Sequence, residues 1–253
     1  MQFCDLSKKK IMVTGASSGL GRATCLTLDS LGATVCLIGR DNKRLSETLD
    51  QMDKKNHIAI QFDLRHFTEY KNKFQYIVEH IGKIDGLIHF AGIRKTIPLK
   101  VLKIDSLHEL IEINLYSFIE LVKHVSKKAF VSGDGASVVV ASSVLALRGA
   151  KALTGYGSSK AAVDGAVRSL ACELAPKNIR INSICPGHVE TEMNLEVKKT
   201  LSDDAYNQIV KSHPLGIGQP DDVANLAAFL VSDESRWITG ATIPIDGGFT
   251  ARS

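Results

Sequence analysis

Several features that would set this chain apart from ordinary globular proteins are scarce or missing. Cysteine is sparse: Cys4, Cys25, Cys36, Cys172 and Cys185 make an odd number at irregular spacing, with no C-x-x-C pair, and there is no N-x-[ST] sequon. A disulfide framework is excluded on that pattern, no metal site is expected, and a reducing, cytoplasmic setting fits best. No apolar run approaches the ~18 residues of a membrane span. The first ten residues are polar and lysine-rich with no apolar segment behind them, so neither export nor membrane insertion is expected. An excess of one charge is also missing. The 31 Lys+Arg against 27 Asp+Glu leave +4, and the basic residues fall in short pieces such as Lys8-Lys9-Lys10 and Lys54-Lys55, which argues against nucleic acid as a main partner.

What is present suits a folded core. With 44% hydrophobic and 23% charged residues over 253 positions, disorder, collagen and coiled coil are excluded and one α/β domain of ordinary size is possible. Short β-branched runs recur at Ile11–Thr14, Thr34–Ile38, Ile58–Phe62, Gly86–Phe90, Ser137–Ala141, Ile179–Cys185 and Thr242–Ile245. Segments of helical period near 20–43, 66–82, 105–131, 157–175 and 220–232 alternate with them. The expectation is a Rossmann-type, doubly wound, mostly parallel seven-stranded sheet in a single domain over 1–253. One stretch breaks the rhythm. From His188 to His213 the chain is polar and charged between Pro186-Gly187 and Pro214, and reads as a substrate lid over the sheet edge.

Immediately after the first strand stands Thr14-Gly15-Ala16-Ser17-Ser18-Gly19-Leu20-Gly21-Arg22, opening a helix that runs to Leu31. Gly15 permits a sharp turn, Gly19 lets backbone approach a pyrophosphate, and Gly21 lets the helix sit close on the strand, with helix N–H groups aimed at an anion. No Lys follows Gly21, which argues against ATP or GTP. At the end of the second strand, where an acidic residue would bind the ribose of NAD, Gly39 and Arg40 stand instead. An arginine there pairs with a 2′-phosphate, helped by the Ser17 and Ser18 hydroxyls, and favours NADP(H) over NAD(H) about ten- to a hundredfold. Asp41 is the one residue that a small shift of the loop would bring into the ribose role.

Tyr156 and Lys160 are four apart at a helix start, on one face and one turn from each other. Moving a phenol from ~10 to ~7 takes about 4 kcal/mol, which an ammonium at ~4 Å supplies at an effective dielectric of ~20. The pair is therefore expected to act as an acid or base near neutrality. Ser142-Ser143 follows the strand Ser137–Ala141 at the edge where doubly wound sheets bind ligands, and a hydroxyl there can hold a carbonyl oxygen. Asn114 falls on the apolar stripe Leu107, Leu110, Ile111, Phe118, Leu121, Val122, Val125, where an amide is costly unless bonded.

Together these pieces resemble the compact, single-domain branch of the short-chain dehydrogenase/reductase family over practically the whole chain. The matching residues are Thr14 to Gly21, Phe62-Asp63-Leu64, Phe90-Ala91-Gly92, Asn114, Ser143, Tyr156-x-x-x-Lys160, Pro186-Gly187-x-x-x-Thr191 and Ile245-Asp246-Gly247-Gly248. The resemblance implies a proton-transfer set of Asn114, Ser143, Tyr156 and Lys160, with Ser143 preferred to Ser142 because it stands thirteen residues before the tyrosine. It further implies Asp63 and Leu64 at the adenine, Ala91 and Gly92 at a cofactor ribose, and Pro186, Gly187, Val189 and Thr191 at the nicotinamide. Phe90 departs from the family, which places Asn there.

The implied activity is NADPH-dependent reduction of a ketone to a secondary alcohol with Tyr156 as proton donor. The substrate class nearest in resemblance is that of the 3-oxoacyl-(acyl-carrier-protein) reductases. On that reading Lys127, Lys128 and Lys177 face an acidic carrier protein, although Asp134 stands beside them. A homotetramer is expected through the small-residue helix Ser158–Ala175, with Trp237–Phe249 at a second interface. Two alternatives stay open: an NAD-dependent dehydrogenase of a secondary alcohol, polyol or steroid, and a non-catalytic dinucleotide-binding sensor.

Overall fold

The computed structural model describes residues 4–53 and 56–252, so Lys54 and Lys55 lie outside the described residues. The expected runs become strands β1 (Lys10–Thr14), β2 (Thr34–Gly39), β3 (Ile58–Gln61), β4 (Gly86–His89), β5 (Ala136–Ala141), β6 (Ile179–Pro186) and β7 (Thr242–Ile245). All are parallel, in the order β3-β2-β1-β4-β5-β6-β7. The order reverses direction between β1 and β4, so the loops leaving these two strands diverge and open a crevice at their C-terminal ends.

Alternation along each strand feeds two cores. Ile11 and Val13 of β1 face one layer and Met12 the other, and in β5 Val139 opposes Val138 and Val140. On one face lie α1 (Gly19–Ser30) and α9 (Pro220–Val231). In α1 the buried positions Gly21, Thr24, Cys25, Leu28 and Asp29 recur at three and four, the stripe a single-faced helix requires. The other face carries α3 (Tyr70–Ile81), α4 (Ile104–Ile111), α5 (Ser117–Val125) and α6 (Thr154–Leu174). In α3 the buried set is Tyr70, Phe74, Ile77 and Ile81.

Two boundaries differ from the sequence reading. The periodic stretch near 20–43 contains β2 itself, and the helix that follows, α2 (Asn42–Leu49), was not expected. It is short, with only Leu45 and Thr48 buried, so its apolar period is too weak to stand out. The stretch near 105–131 ends as helix at Val125 and contains a π-helical turn, Glu112–Tyr116, joining α4 to α5. The polar excursion 188–213 forms two short helices, α7 (Glu192–Lys199) and α8 (Asp203–Lys211), each N-capped by a hydroxyl, Thr191 and Ser202. Among the described residues, no helix is long and apolar enough to cross a membrane.

Candidate active site

The crevice at the C-terminal ends of the strands holds two adjoining cavities that share Leu20, Phe90, Gly92, Ile93, Thr191 and Met193 in their walls. The first is formed by the glycine-rich turn. Gly15 takes φ +73°, and a Cβ there would stand 2.8 Å from the Ala91 nitrogen, so the turn tolerates no side chain. A Cβ on Gly21 would fall 2.1 Å from the Gly15 carbonyl oxygen, which is how closely α1 rests on the turn. Ser18 is the N-cap of α1 but makes no capping bond with its side chain, so the first-turn N–H groups face the cavity.

Arg40 is exposed at the far end of this cavity, and Arg44 and Arg65 line it as well. Neither of the last two was anticipated. Arg44 had a legible signal, four residues past Arg40 at a helix start; Arg65 had none. Asp41, the possible competitor for a ribose, is occupied as the N-cap of α2 and accepts from the Arg44 N–H at 3.1 Å. Arg65 grips Asp63 with Nε and Nη2, the latter at 2.6 Å. That hydrogen bonding holds the Asp63 carboxyl down to about 2. Gly15, Ser17, Ser18, Gly19, Leu20, Gly21, Asp63, Leu64, Ala91 and Gly92 all line the cavity. Its open turn, helix terminus and the exposed Arg40 guanidinium suit an anionic dinucleotide.

The second cavity, of about 370 Å³, gathers Ser143, Tyr156 and Lys160, with Pro186, Gly187, Val189 and Thr191 in the wall toward the first. Ser143 stands two residues past β5 and its Oγ accepts from the Leu145 N–H at 3.1 Å. Ser142 turns away: its Oγ donates to Asp164 Oδ2 at 2.9 Å, and Ser183 Oγ donates to Oδ1 at 2.7 Å. Only Ser143 therefore has a hydroxyl directed to Tyr156. Asn114 sits in the π turn, donates to the Ile93 carbonyl and Ser159 Oγ, and accepts from the Ile93 N–H at 2.9 Å. These bonds answer the cost of burying an amide on an apolar stripe, and π turns recur at functional sites. A Cβ on Gly92 would lie 3.0 Å from Asn114 Oδ1 and 3.4 Å from Lys160 Nζ, which fixes the three residues as neighbours.

The electrostatics add a residue to the sequence reading. Lys160 Nζ is 6.0 Å from the centre of the Tyr156 ring and donates to the Ala141 carbonyl at 2.8 Å. Burial pulls Lys160 down to about 8, while the nearby Asp164 carboxyl opposes that. Tyr156 is pushed above the ordinary phenol range by burial, and the Ser143 hydroxyl and then the Arg94 guanidinium pull it back. Arg94 therefore joins Lys160 as a cation beside the Tyr156 ring. The sequence reading missed Arg94; it follows the strand β4 in a loop with no periodic signal. Two histidines were also missed. His213 Nε2 accepts from the His188 N–H at 3.1 Å while Nδ1 faces the Ile209 carbonyl at 2.8 Å, which sets the tautomer with the proton on Nδ1. Burial, then His213 and Arg94, push His188 down to about 4, so it is neutral near pH 7.

Phe90 packs on the core cluster of α1 and α9, and it also walls both cavities. The lysines assigned to a carrier protein lie elsewhere. Lys127 and Lys128 precede β5 and Lys177 precedes β6, so they stand at the N-terminal ends of strands whose C-terminal ends form the cavities. A partner seated on them would face the wrong end of the sheet.

A family model described as enoyl-(acyl carrier protein) reductase matches residues 15–250. A Thermotoga maritima protein named 3-oxoacyl-[acyl-carrier-protein] reductase FabG is 34% identical over 250 residues, covering 96% of this chain and 98% of that protein. The chain is a short-chain dehydrogenase/reductase. Another family member, the short-chain dehydrogenase/reductase aba4 of Botryotinia fuckeliana, is 32% identical over 98% of this chain and 99% of its own length. Among solved structures, a putative short-chain alcohol dehydrogenase from Sinorhizobium meliloti superposes with a TM-score of 0.93 at 28% identity, each chain covered completely. A 7α-hydroxysteroid dehydrogenase complexed with NADH and 7-oxo glycochenodeoxycholic acid gives 0.91 at 27% identity, over 97% of this chain and 96% of that one. As a short-chain dehydrogenase/reductase the chain is an oxidoreductase acting on a CH–OH/C=O pair, and its relatives use a nicotinamide dinucleotide.

Proposed function

We propose that this enzyme reduces a ketone to a secondary alcohol with NADPH. The observation that carries the reading is the continuity of the two cavities: arginines and a glycine cradle at one end, Ser143 and Tyr156 at the other, with shared walls between. When bound, a reduced nicotinamide supplies hydride to the substrate carbonyl carbon. The backbone of the Gly15–Gly21 turn and the N-terminus of α1 hold the pyrophosphate, with Ser17, Ser18 and Leu20 beside it. Arg40 binds the 2′-phosphate and Arg44 supports it. Asp63 and Leu64 take the adenine, Ala91 and Gly92 a ribose, and Pro186, Gly187, Val189 and Thr191 the nicotinamide.

Ser143 holds the substrate carbonyl oxygen, and Tyr156 donates its proton to that oxygen as negative charge develops there. A phenol kept protonated by burial is in the correct state for this direction. Lys160 has three N–H donors and commits one to Ala141, leaving two for the nicotinamide ribose hydroxyls. Asn114 fixes the Ile93 backbone and marks the wide turn through which protons reach Lys160 from solvent. The helices α7 and α8 act as a lid, since Met193, Asn194 and Ile209 from this stretch already line the cavity.

The five cysteines are free thiols, which supports the cytoplasmic setting. The reading includes a homotetramer built through α6, where a Cβ on Gly165 would meet nothing nearer than the tip of Arg168 at 3.9 Å, with Trp237, 92% exposed, at a second interface. The test of the activity is NADPH oxidation, followed by absorbance with a panel of ketones and compared with NADH. Absence of turnover with every ketone and both nucleotides would overturn the proposal.

A further inference from the structure

We infer that the ketone reduced by this enzyme carries a carboxylate, that Arg94 binds it, and that the substrate class is therefore short-chain oxo acids and not carrier-bound thioesters. The inference rests on the reductase reading above and sharpens it. Arg94 Nε is buried with no hydrogen-bond partner. Among the described residues the guanidinium makes one long contact, Nη1 to Asn194 Oδ1 at 3.5 Å, and no ion pair with a carboxylate. Buried guanidinium groups are ordinarily paired, because an unpaired buried charge is expensive. A planar fork of N–H donors is the natural partner of a carboxylate.

The surroundings point the same way. No Asp or Glu is among the described residues lining the cavity that holds Arg94, Ser143 and Tyr156. Its other cation, Lys160, is committed to the Ala141 carbonyl and has Asp164 as a neighbour. His188 is uncharged near neutrality. The cavity wall also carries the apolar side chains of Leu145, Leu153, Ile209 and Phe249. A ligand that fits must bring one negative charge to Arg94, a carbonyl to Ser143 and Tyr156, and a short hydrocarbon body. A neutral acyl thioester would leave the buried Arg94 Nε without a partner and the guanidinium without a counter-ion.

The test compares 3-oxobutanoate with its methyl ester, and 3-oxohexanoate with its methyl ester, using the nucleotide the enzyme oxidises. In the unmodified enzyme kcat/KM for each acid is expected to exceed that of its ester at least tenfold. Arg94→Met is expected to lower the acid values roughly ten- to a hundredfold more than the ester values, the worth of one charged hydrogen-bonded contact, the loss common to both being the effect of Arg94 on Tyr156. Arg94→Lys should recover part of the loss. Esters reduced as well as acids by the unmodified enzyme overturn the inference without recourse to a variant. So does an equal loss for acid and ester in Arg94→Met, which would make Arg94 a residue acting through Tyr156. If no ketone is reduced, the reductase reading fails, and the carboxylate site is tested alone by calorimetric titration with butanoate and butanamide. Butanoate binding that is lost in Arg94→Met supports the inference, and no preference for butanoate overturns it.

Discussion

Lys160 Nζ donates to the Ala141 carbonyl at 2.8 Å and stays 6.0 Å from the centre of the Tyr156 ring, although the two residues share one helix face. The ammonium is thus anchored to the end of β5, beside Gly92 and Asn114, and the phenol answers to burial, Ser143 and Arg94. Division of labour follows. On the proposed function, Tyr156 handles the substrate proton and Lys160 holds the cofactor side of the site.

Replacing Tyr156 by Phe removes the proton donor and little volume. Turnover should fall about a hundred- to ten-thousandfold, the usual worth of positioned acid catalysis, while NADPH affinity measured by fluorescence quenching changes little. Equal rates in Tyr156→Phe and parent would remove this residue from the chemistry.

Arg40→Ala should weaken NADPH about ten- to a hundredfold, as expected for loss of a charged contact, and leave NADH nearly unaffected. A parallel loss for both nucleotides in equilibrium titrations would show that Arg40 does not read the 2′-phosphate.

Lys160 is buried with a folded value of about 8, against about 10.4 in an unfolded chain. Between these values the unfolded state binds more protons, so the stability contributed here rises with pH, by roughly 1–3 kcal/mol in all. Below about pH 8 the ammonium is charged in both states and the gain is absent. Urea unfolding of the parent and of Lys160→Met at pH 7, 8, 9 and 10 checks this. The parent should gain on the variant as pH rises, and parallel curves would contradict it.

Gly21→Ala places a Cβ 2.1 Å from the Gly15 oxygen. Overpacking of this severity costs about 3 kcal/mol, which outweighs the gain of about 1 kcal/mol in helix propensity. A fall in the urea midpoint together with lost NADPH binding is the expected result. A variant as stable as the parent would show that α1 can move off the turn.

The strands were legible because short β-branched runs favour the extended chain over a helix, as in Val138-Val139-Val140. The glycine cradle was legible for a related reason: Gly15 and Gly21 answer to backbone contacts within a few residues of themselves and to one neighbouring strand. What escaped is long-range. Arg94 meets Asn194 across the crevice, Arg44 meets Glu192 at 3.1 Å, and Asp164 meets Ser142 and Ser183 on two strands. None of these pairings has a sequence period. The Tyr156–Lys160 spacing placed both groups in one cavity, yet spacing fixes only Cα positions, and it gave no sign of the bond from Lys160 to the Ala141 carbonyl.

The π turn at Glu112–Tyr116 amounts to one residue more than a regular ladder between α4 and α5 would hold. Removing it would rotate everything downstream by about 100° around the axis, swinging Phe118 and Leu121 off the sheet. The irregularity beside Asn114 and the phase of the core helix are therefore a single inherited decision: neither can drift in evolution, or be redesigned at the bench, while the other stays put.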